Sequence, residues 1–221
     1  GSEMCIRDSH LIDAEMVTLD LHDTLEISEG DGLDIVGPAG TERIGPDDDN
    51  LVRRALRLVG RTALVRLHKR IPAGAGLGGG SADAAAVLRW AGYTDVEGAA
   101  TIGADVAFCL VGGRARVRGI GEIVEPLPHE PRTFTLLTPP FGCSTPAVYA
   151  AWDRLGGPTG GHRNDLEPAA LAVAPELAAW RDRLADATGV RPQLAGSGST
   201  WFVEGAFPGP GRVVAATVSG D

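Results

Sequence analysis

The chain has 221 residues, of which 43% are apolar and 22% are charged, and its mean hydropathy is +0.02. This composition excludes a disordered chain and a bundle of membrane helices, and the length allows one large domain or two small ones. The chain has 20 Lys and Arg residues but 29 Asp and Glu residues. A nonspecific binder of nucleic acid is therefore disfavoured, because such binding needs clustered cations. We expect a small-molecule partner.

Cys5, Cys109 and Cys143 lie far apart and are odd in number, so they predict no disulfide framework and fit a reducing cytoplasm. No apolar run reaches the roughly 20 residues of a membrane helix, and the start does not resemble a signal peptide. We therefore expect a cytoplasmic protein that binds neither a membrane nor nucleic acid. The opening GSEMCIRDS, residues 1–9, shows no periodicity and is interpreted as foreign to the fold.

Strands and helices are predicted in an uneven order along the chain. Alternating or short apolar patterns predict strands at residues 15–21, 31–37, 64–70, 114–119 and 132–139, and a strand–turn–strand unit at 193–205. Helical spacing predicts helices at 46–60, directly after residue 80, and at 175–189 with Pro175 in the first turn. This mixture favours an α+β fold over regular βαβ repetition, with EPLPHEP as the best linker candidate.

A glycine-rich stretch joins the strand at 64–70 to the next helix. It comprises Pro72, Ala73, Gly74, Ala75, Gly76, Leu77, Gly78, Gly79, Gly80, Ser81 and Ala82. Its five glycines permit turns closed to other residues and let amide N–H groups approach a ligand. A helix that starts with Ser81 near its cap adds a positive dipole end, so the stretch predicts an anion-binding cradle.

Three other interpretations of the stretch compete with the cradle. Gly74, Gly76 and Gly79 match the dinucleotide fingerprint, with Asp95 or Glu97 at a suitable offset, but the preceding strand is half polar and no doubly wound pattern follows. A Walker loop is excluded because no Lys-Ser or Lys-Thr pair closes the stretch. A plain turn without a ligand is disfavoured because five glycines cost backbone entropy.

The motifs resemble, in order, those of the GHMP kinases. PAGAGLGGGSADAAA resembles the family's phosphate-binding motif, IGADVAFCLVGGRARVRGIGEIVEPLP its catalytic-aspartate stretch, and FGCSTPAVYAAW, NDLEP and LAGSGSTWFVEG its later motifs. The resemblance covers the chain from His10 to about Glu204. It implies a two-lobed α+β fold, with a lobe like the second domain of ribosomal protein S5 at residues 1–127 and a ferredoxin-like lobe at residues 128–221.

Within the family, the motifs are closest to the kinases of the non-mevalonate isoprenoid route. The resemblance implies ATP-dependent phosphorylation of the 2-hydroxyl of a cytidine-diphosphate methylerythritol derivative, with Mg²⁺ accompanying ATP. A sister kinase for homoserine, mevalonate or a sugar is the main alternative, and a nucleotide-binding homologue without turnover is another. The family's first strand, which carries a lysine, has no counterpart before His10, so we expect it to be lacking, and Lys69 does not occupy that motif.

The resemblance also implies roles for single residues. Asp105 would be the catalytic base or orienting group for the acceptor hydroxyl, although Gly-Ala-Asp is also ordinary capping chemistry. Gly196 and Ser197 would lie near the substrate, where a plain hairpin turn is the alternative. Tyr149 would stack on the cytosine and His10 would contact the same end of the substrate, the alternatives being a core tyrosine and a surface histidine.

Three further polar residues receive lesser roles. Asn164 and Asp165 of NDLEP are expected to give no more than support. Asp83, in the first turn after Ser81, is expected to satisfy the helix dipole. The sequence shows no cluster of metal ligands, so Mg²⁺ is implied by ATP and the resemblance alone.

Overall fold

The computed structural model describes residues 11–37, 49–157 and 164–220. Contacts within the chain group its residues into two compact units. Of the described residues, the first unit holds those up to Ile71, Gly78–Pro131 and those from Thr217 to residue 220, and the second unit holds Pro72–Leu77 and those between Arg132 and Ala216. Both units mix strands and helices, so the predicted α+β fold is confirmed. No helix in these described ranges has the length and apolar character needed to cross a membrane.

One sheet of the first unit has the order β1-β5-β6, with antiparallel neighbours. Its strands are β1 (Ile12–Val17), β5 (Arg114–Gly119) and β6 (Ile123–Leu127). The alternation in β5 buries Ala115 and Val117 and turns Arg116 outward to a bidentate pair with Asp13.

The strand predicted at 15–21 is shifted, because it runs from Ile12 to Val17. Its partner β5 begins at Arg114, opposite Val17, so the ladder ends there. Beyond it, the Thr18 amide donates to the Gly113 carbonyl at 2.7 Å, and an isolated bridge joins Leu19 to Thr217.

The second sheet of this unit has β4 (Leu64–His68) at its centre. β2 (Thr24–Ser28) pairs with it antiparallel and β3 (Gly32–Val36) pairs with it parallel. Val65 and Leu67 of β4 are buried, as the alternating pattern predicts for a half-buried strand. The end of β4 leads directly into the glycine stretch.

Four helices of the described residues cover the core of the first unit. They are α1 (Leu51–Leu58), α2 (Gly79–Trp90), α3 (Val96–Ala100) and α4 (Val106–Val111). α2 packs against both α1 and α4, and the apolar side of α2 contributes Ala84, Val87 and Leu88 to the core. The helix predicted at 46–60 is present as α1, but it begins at Leu51. Its cap is Asn50, whose side chain accepts a hydrogen bond from the Val52 amide at 2.9 Å.

In the described residues of the second unit, the strands form an antiparallel sheet of order β10-β7-β9-β8. Its elements are β7 (Thr133–Leu137), α5 (Thr145–Arg154), α6 (Glu167–Val173), α7 (Leu177–Thr188), β8 (Gln193–Leu194), β9 (Trp201–Glu204) and β10 (Arg212–Ala216). Trp201 and Leu184 are fully buried in its core. Helix α7 ends at Gly189 as predicted, but Pro175 precedes the helix because Glu176 is the N-cap residue.

Candidate active site

The first half of the glycine stretch, in the second unit, lies between two other backbone segments. The Gly74 carbonyl accepts hydrogen bonds from the Cys143 amide at 3.0 Å and from the Ser199 amide at 3.1 Å. The next carbonyl, of Ala75, accepts from the Thr200 amide at 3.0 Å. The stretch is therefore held by fixed backbone partners on two sides.

Gly76 is the position at which this packing demands glycine. Its φ is +73°, and a Cβ there would lie 2.2 Å from the Ala195 carbonyl oxygen and 2.8 Å from the Gly198 carbonyl oxygen. A Cβ on Gly196 would in turn lie 3.1 Å from the Gly76 carbonyl oxygen. Two motifs about 120 residues apart in sequence therefore meet backbone to backbone, which only residues without a side chain allow.

The second half of the stretch opens helix α2. Gly78 is the N-cap residue with a left-handed conformation, and no side chain caps the helix. The Ala82 amide donates to the Gly78 carbonyl at 2.9 Å, which closes the first turn. First-turn amides and the positive dipole end of a helix favour an anion, so the predicted sequence of strand, glycine turn and helix is present.

Two details of the prediction at this helix are wrong. Ser81 is not near the cap but is the third helical residue and is buried, and Asp83 lies beyond the first turn. The reason is that Gly78, in its left-handed conformation, starts the helix earlier than a cap near Ser81 would. Asp83 therefore does not serve the helix dipole.

Instead, Asp83 belongs to a buried charged cluster with Asp23 and Lys69. The three side chains are exposed by only 4%, 2% and 4% for Asp83, Asp23 and Lys69. Lys69 Nζ donates to Asp83 Oδ2 at 2.8 Å and also to Asp23 Oδ2. Burial raises the pKa of Asp83 to about 6, although Lys69 beside it acts in the opposite direction.

Asp105 occupies the N-cap position of α4, but its side chain makes no capping hydrogen bond. Its carbonyl accepts from the Cys109 amide at 2.9 Å. Burial, followed by the nearby charge of Asp105, raises the pKa of the Cys109 thiol to about 12. The half-buried Asp105 carboxylate thus does not cap the helix through a hydrogen bond. Asp105 lies at the start of α4, which packs against α2.

The GSGS turn, residues 196–199 of the second unit, is held by side chains that flank it. The hydroxyl groups of Ser197 and Thr145 hydrogen-bond at 2.8 Å. Asn164 Nδ2 donates to the carbonyls of Leu194 and Gly196 at 2.8 and 2.7 Å. Asn164 therefore supports the turn, whereas no pattern in the sequence points to Thr145.

Tyr149 lies on helix α5, four residues after Thr145. Residues at this spacing share one face of a helix, so Tyr149 lies on the same face of α5 as Thr145, which hydrogen-bonds to Ser197. It is half-buried. His10 lies outside the described residues.

Within residues 11–37, 49–157 and 164–220, no three His, Cys, Asp or Glu side chains lie close enough together to hold a metal ion. These residues therefore provide no all-protein metal cage.

Comparisons with known proteins first give the class of the fold. Residues 50–113, which include the glycine stretch and Asp105, match the family described as GHMP kinases N terminal domain. A crystal structure of 4-(cytidine 5'-diphospho)-2C-methyl-D-erythritol kinase matches with a TM-score of 0.69 at 31% identity, over 96% of this chain and 91% of that chain. Homoserine kinase from Cytophaga hutchinsonii shares the fold alone, with a TM-score of 0.52 at 17% identity, over 92% and 88% of the two chains. The fold is that of a GHMP kinase.

Curated relatives narrow the class. The 4-diphosphocytidyl-2-C-methyl-D-erythritol kinase of Paracoccus denitrificans is 39% identical over 213 residues, which are 87% of this chain and 77% of that protein. The enzyme of the same name from Ruegeria pomeroyi is 38% identical over 232 residues, 92% and 82% of the two chains. The chain belongs to the 4-diphosphocytidyl-2-C-methyl-D-erythritol kinase family, and the resemblance of its motifs is confirmed.

The contact at Gly76 predicts the effect of a single methyl group. We expect Gly76→Ala to lower the free energy of unfolding by about 2 kcal/mol more than Gly189→Ala, because overpacking adds to the conformational cost. Gly189 is the matched control, because its φ is +69° and a Cβ there would meet no atom of the described residues within 4 Å. Urea unfolding of both variants measures the difference, and equal losses would contradict the packing.

The raised pKa of Asp83 predicts a pH-dependent stability. The folded protein retains a proton there that the unfolded chain releases above about pH 4, so this stabilisation is lost as the pH rises through about 6. Relative to Asp83→Asn, the wild type should therefore lose up to about 3 kcal/mol between pH 4 and 7.

Urea unfolding at several pH values checks the sign. Asp13 is the contrasting control, because a hydrogen bond from Arg116 holds its pKa below the ordinary value. Relative to Asp13→Asn, the wild type should lose stability as the pH falls. A difference between wild type and Asp83→Asn that does not change with pH would refute the prediction.

Proposed function

We propose that this protein transfers the γ-phosphoryl group of ATP to the 2-hydroxyl of 4-diphosphocytidyl-2-C-methyl-D-erythritol, a step of the non-mevalonate route to isoprenoid precursors. The observation that carries the proposal is the identity of 38–39% to two enzymes of that name across most of this chain. The glycine stretch and Asp105 add the phosphate cradle and the acceptor-side carboxylate that phosphoryl transfer requires.

In this proposal, residues 72–82 bind the nucleotide. The amino end of α2, which has no side-chain cap, directs amides and a positive dipole toward phosphate oxygens. Gly76 and Gly78 give the backbone the left-handed turns that this path needs. Backbone groups thus supply the attraction for an anionic ligand in a chain of net charge −9.

Asp105 is proposed to engage the acceptor hydroxyl. A carboxylate in this position accepts the hydroxyl proton or orients the oxygen for attack. The side chain makes no capping hydrogen bond with α4, so it does not serve as the cap of that helix. Asp105 lies at the amino end of α4, which packs against the helix that the glycine stretch opens.

Tyr149 and His10 are proposed to serve the cytidine end of the substrate, and Gly196 and Ser197 are proposed to lie near the substrate. A tyrosine ring gains about 1–3 kcal/mol by stacking on a base. Tyr149 shares a helix face with Thr145, which hydrogen-bonds to Ser197. This common placement supports a shared role for Tyr149 and the GSGS turn.

Mg²⁺ is proposed to accompany ATP, held mainly by phosphate oxygens, where it would neutralise negative charge during transfer. We also propose that the enzyme acts in the cytoplasm on a small molecule and binds no nucleic acid. Its negative net charge and the free thiols of Cys109 and Cys143 support this setting. The division into functional lobes at residues 1–127 and 128–221 remains a proposal.

A substrate panel tests the function. We expect ATP-dependent phosphorylation of 4-diphosphocytidyl-2-C-methyl-D-erythritol and no comparable turnover of homoserine or mevalonate, measured by coupled ADP release. Turnover of a control substrate alone would refute the substrate assignment. Binding of ATP without turnover of any acceptor would identify a nucleotide-binding homologue instead.

Asp105→Asn tests the acceptor-side carboxylate. The amide cannot accept the proton, so we expect kcat to fall at least about 100-fold while the KM for ATP changes little. Asp182→Asn, an exposed carboxylate on α7, is the matched control and should retain full activity. A kcat for Asp105→Asn equal to that of the control would disprove the assigned role.

A further inference from the structure

The buried cluster of Asp23, Lys69 and Asp83 lies at both ends of the glycine stretch. Before the stretch, Asp23 Oδ1 accepts hydrogen bonds from the amides of Arg70 and Ile71 at 2.5 and 2.9 Å. After it, Asp83 on helix α2 accepts from Lys69 Nζ at 2.8 Å. Lys69 also donates to Asp23, so one lysine connects the chain entering the stretch to the helix leaving it.

Contacts around Lys69 show that the connection is tight. Its backbone amide donates to the Val36 carbonyl at 2.7 Å, which extends the pairing of β4 with β3. A Cβ on Gly79, the first residue of α2, would lie 3.3 Å from Lys69 Nζ. The ammonium group thus lies directly against the start of the helix, and its burial keeps it from acting as an exposed phosphate ligand.

Stability alone does not account for this cluster. Removing three charges from water is costly, and a buried ion pair is often no more stabilising than apolar residues of similar volume. The raised pKa of Asp83 shows that burial outweighs the attraction of Lys69 at this carboxylate. Directional hydrogen bonds between charged groups, however, fix the relative positions of the segments that carry them.

We propose that Asp23, Lys69 and Asp83 form a clamp that sets the amino end of α2 relative to the end of β4, so that the glycine stretch is held in its nucleotide-binding form. Lys69 and Asp83 are then positioning residues for ATP and contact neither phosphate nor acceptor. The inference rests on the proposed use of residues 72–82 for ATP.

Asp83→Asn is the first test, because Lys69 keeps its pairing with Asp23 and the fold is retained. Loss of a charged hydrogen bond should raise the KM for ATP about tenfold, with the KM for the acceptor unchanged. In the protein without ligand, amide hydrogen exchange of residues 79–82 should accelerate. The Asp34→Asn variant is the matched control, since Asp34 pairs with Arg66 on the exposed side of β4 at 2.9 Å, and should change neither quantity.

Lys69→Met and the double variant Lys69→Met/Asp83→Asn complete a double-mutant cycle with Asp83→Asn. If the Lys69–Asp83 contact is the working link, the two substitutions are not additive, and the double variant raises the KM for ATP no more than the larger single effect. If Lys69→Met does not fold, the hydrogen exchange and the KM for ATP of Asp83→Asn test the proposal on their own. Additive effects, or a folded Asp83→Asn with unchanged ATP KM and unchanged exchange, would overturn the proposal.

A loss of stability with no selective effect on the KM for ATP would likewise show that the cluster has only a structural role, and it would overturn the clamp.

Failure of the proposed function is distinguishable from failure of the clamp. If the wild type does not phosphorylate the cytidine substrate, the Kd for ATP, measured by calorimetry, replaces the KM. The hydrogen exchange of residues 79–82 needs no ligand and is unaffected by the choice of substrate.

Discussion

The close backbone contact at Gly76 is the constraint on which the arrangement of the glycine stretch depends. A carbonyl oxygen 2.2 Å from the position of a Cβ leaves room for no other residue. The amides of Cys143 and Ser199 complete the contact by donating to Gly74. Glycine at position 76 permits not only an unusual φ but also the meeting of two distant motifs, so this residue serves packing as well as backbone conformation.

The buried charges next to the glycine stretch also hold its backbone in position. The only lysine of the chain is buried between Asp23 and Asp83, so it organises the protein and does not present its charge to a ligand. Phosphate binding in the proposed site therefore draws on amides and the dipole of α2. In the proposed site, these backbone groups would offer a local positive potential to an anion although the net charge of the protein is −9.

The elements that the sequence predicts well are those whose signal is local. Helix α1 and strand β4 follow from their apolar spacing, and the end of α7 follows from Gly189. The predicted start of α2 is wrong because the left-handed Gly78 replaces a side-chain cap, which no propensity reveals. The extent of β1 depends on where its partner strand β5 begins, far away in sequence.

The same distinction explains what could be predicted of the candidate site. The glycine stretch and Asp105 carry motifs, and motifs are contiguous. Asp23 lies 46 residues before Lys69, and Thr145 lies 52 residues before Ser197, so only the fold brings these partners together. The groups proposed to bind a ligand can therefore be predicted from contiguous motifs, whereas the groups that hold them in place are recognised only when burial shows which polar side chains must have partners.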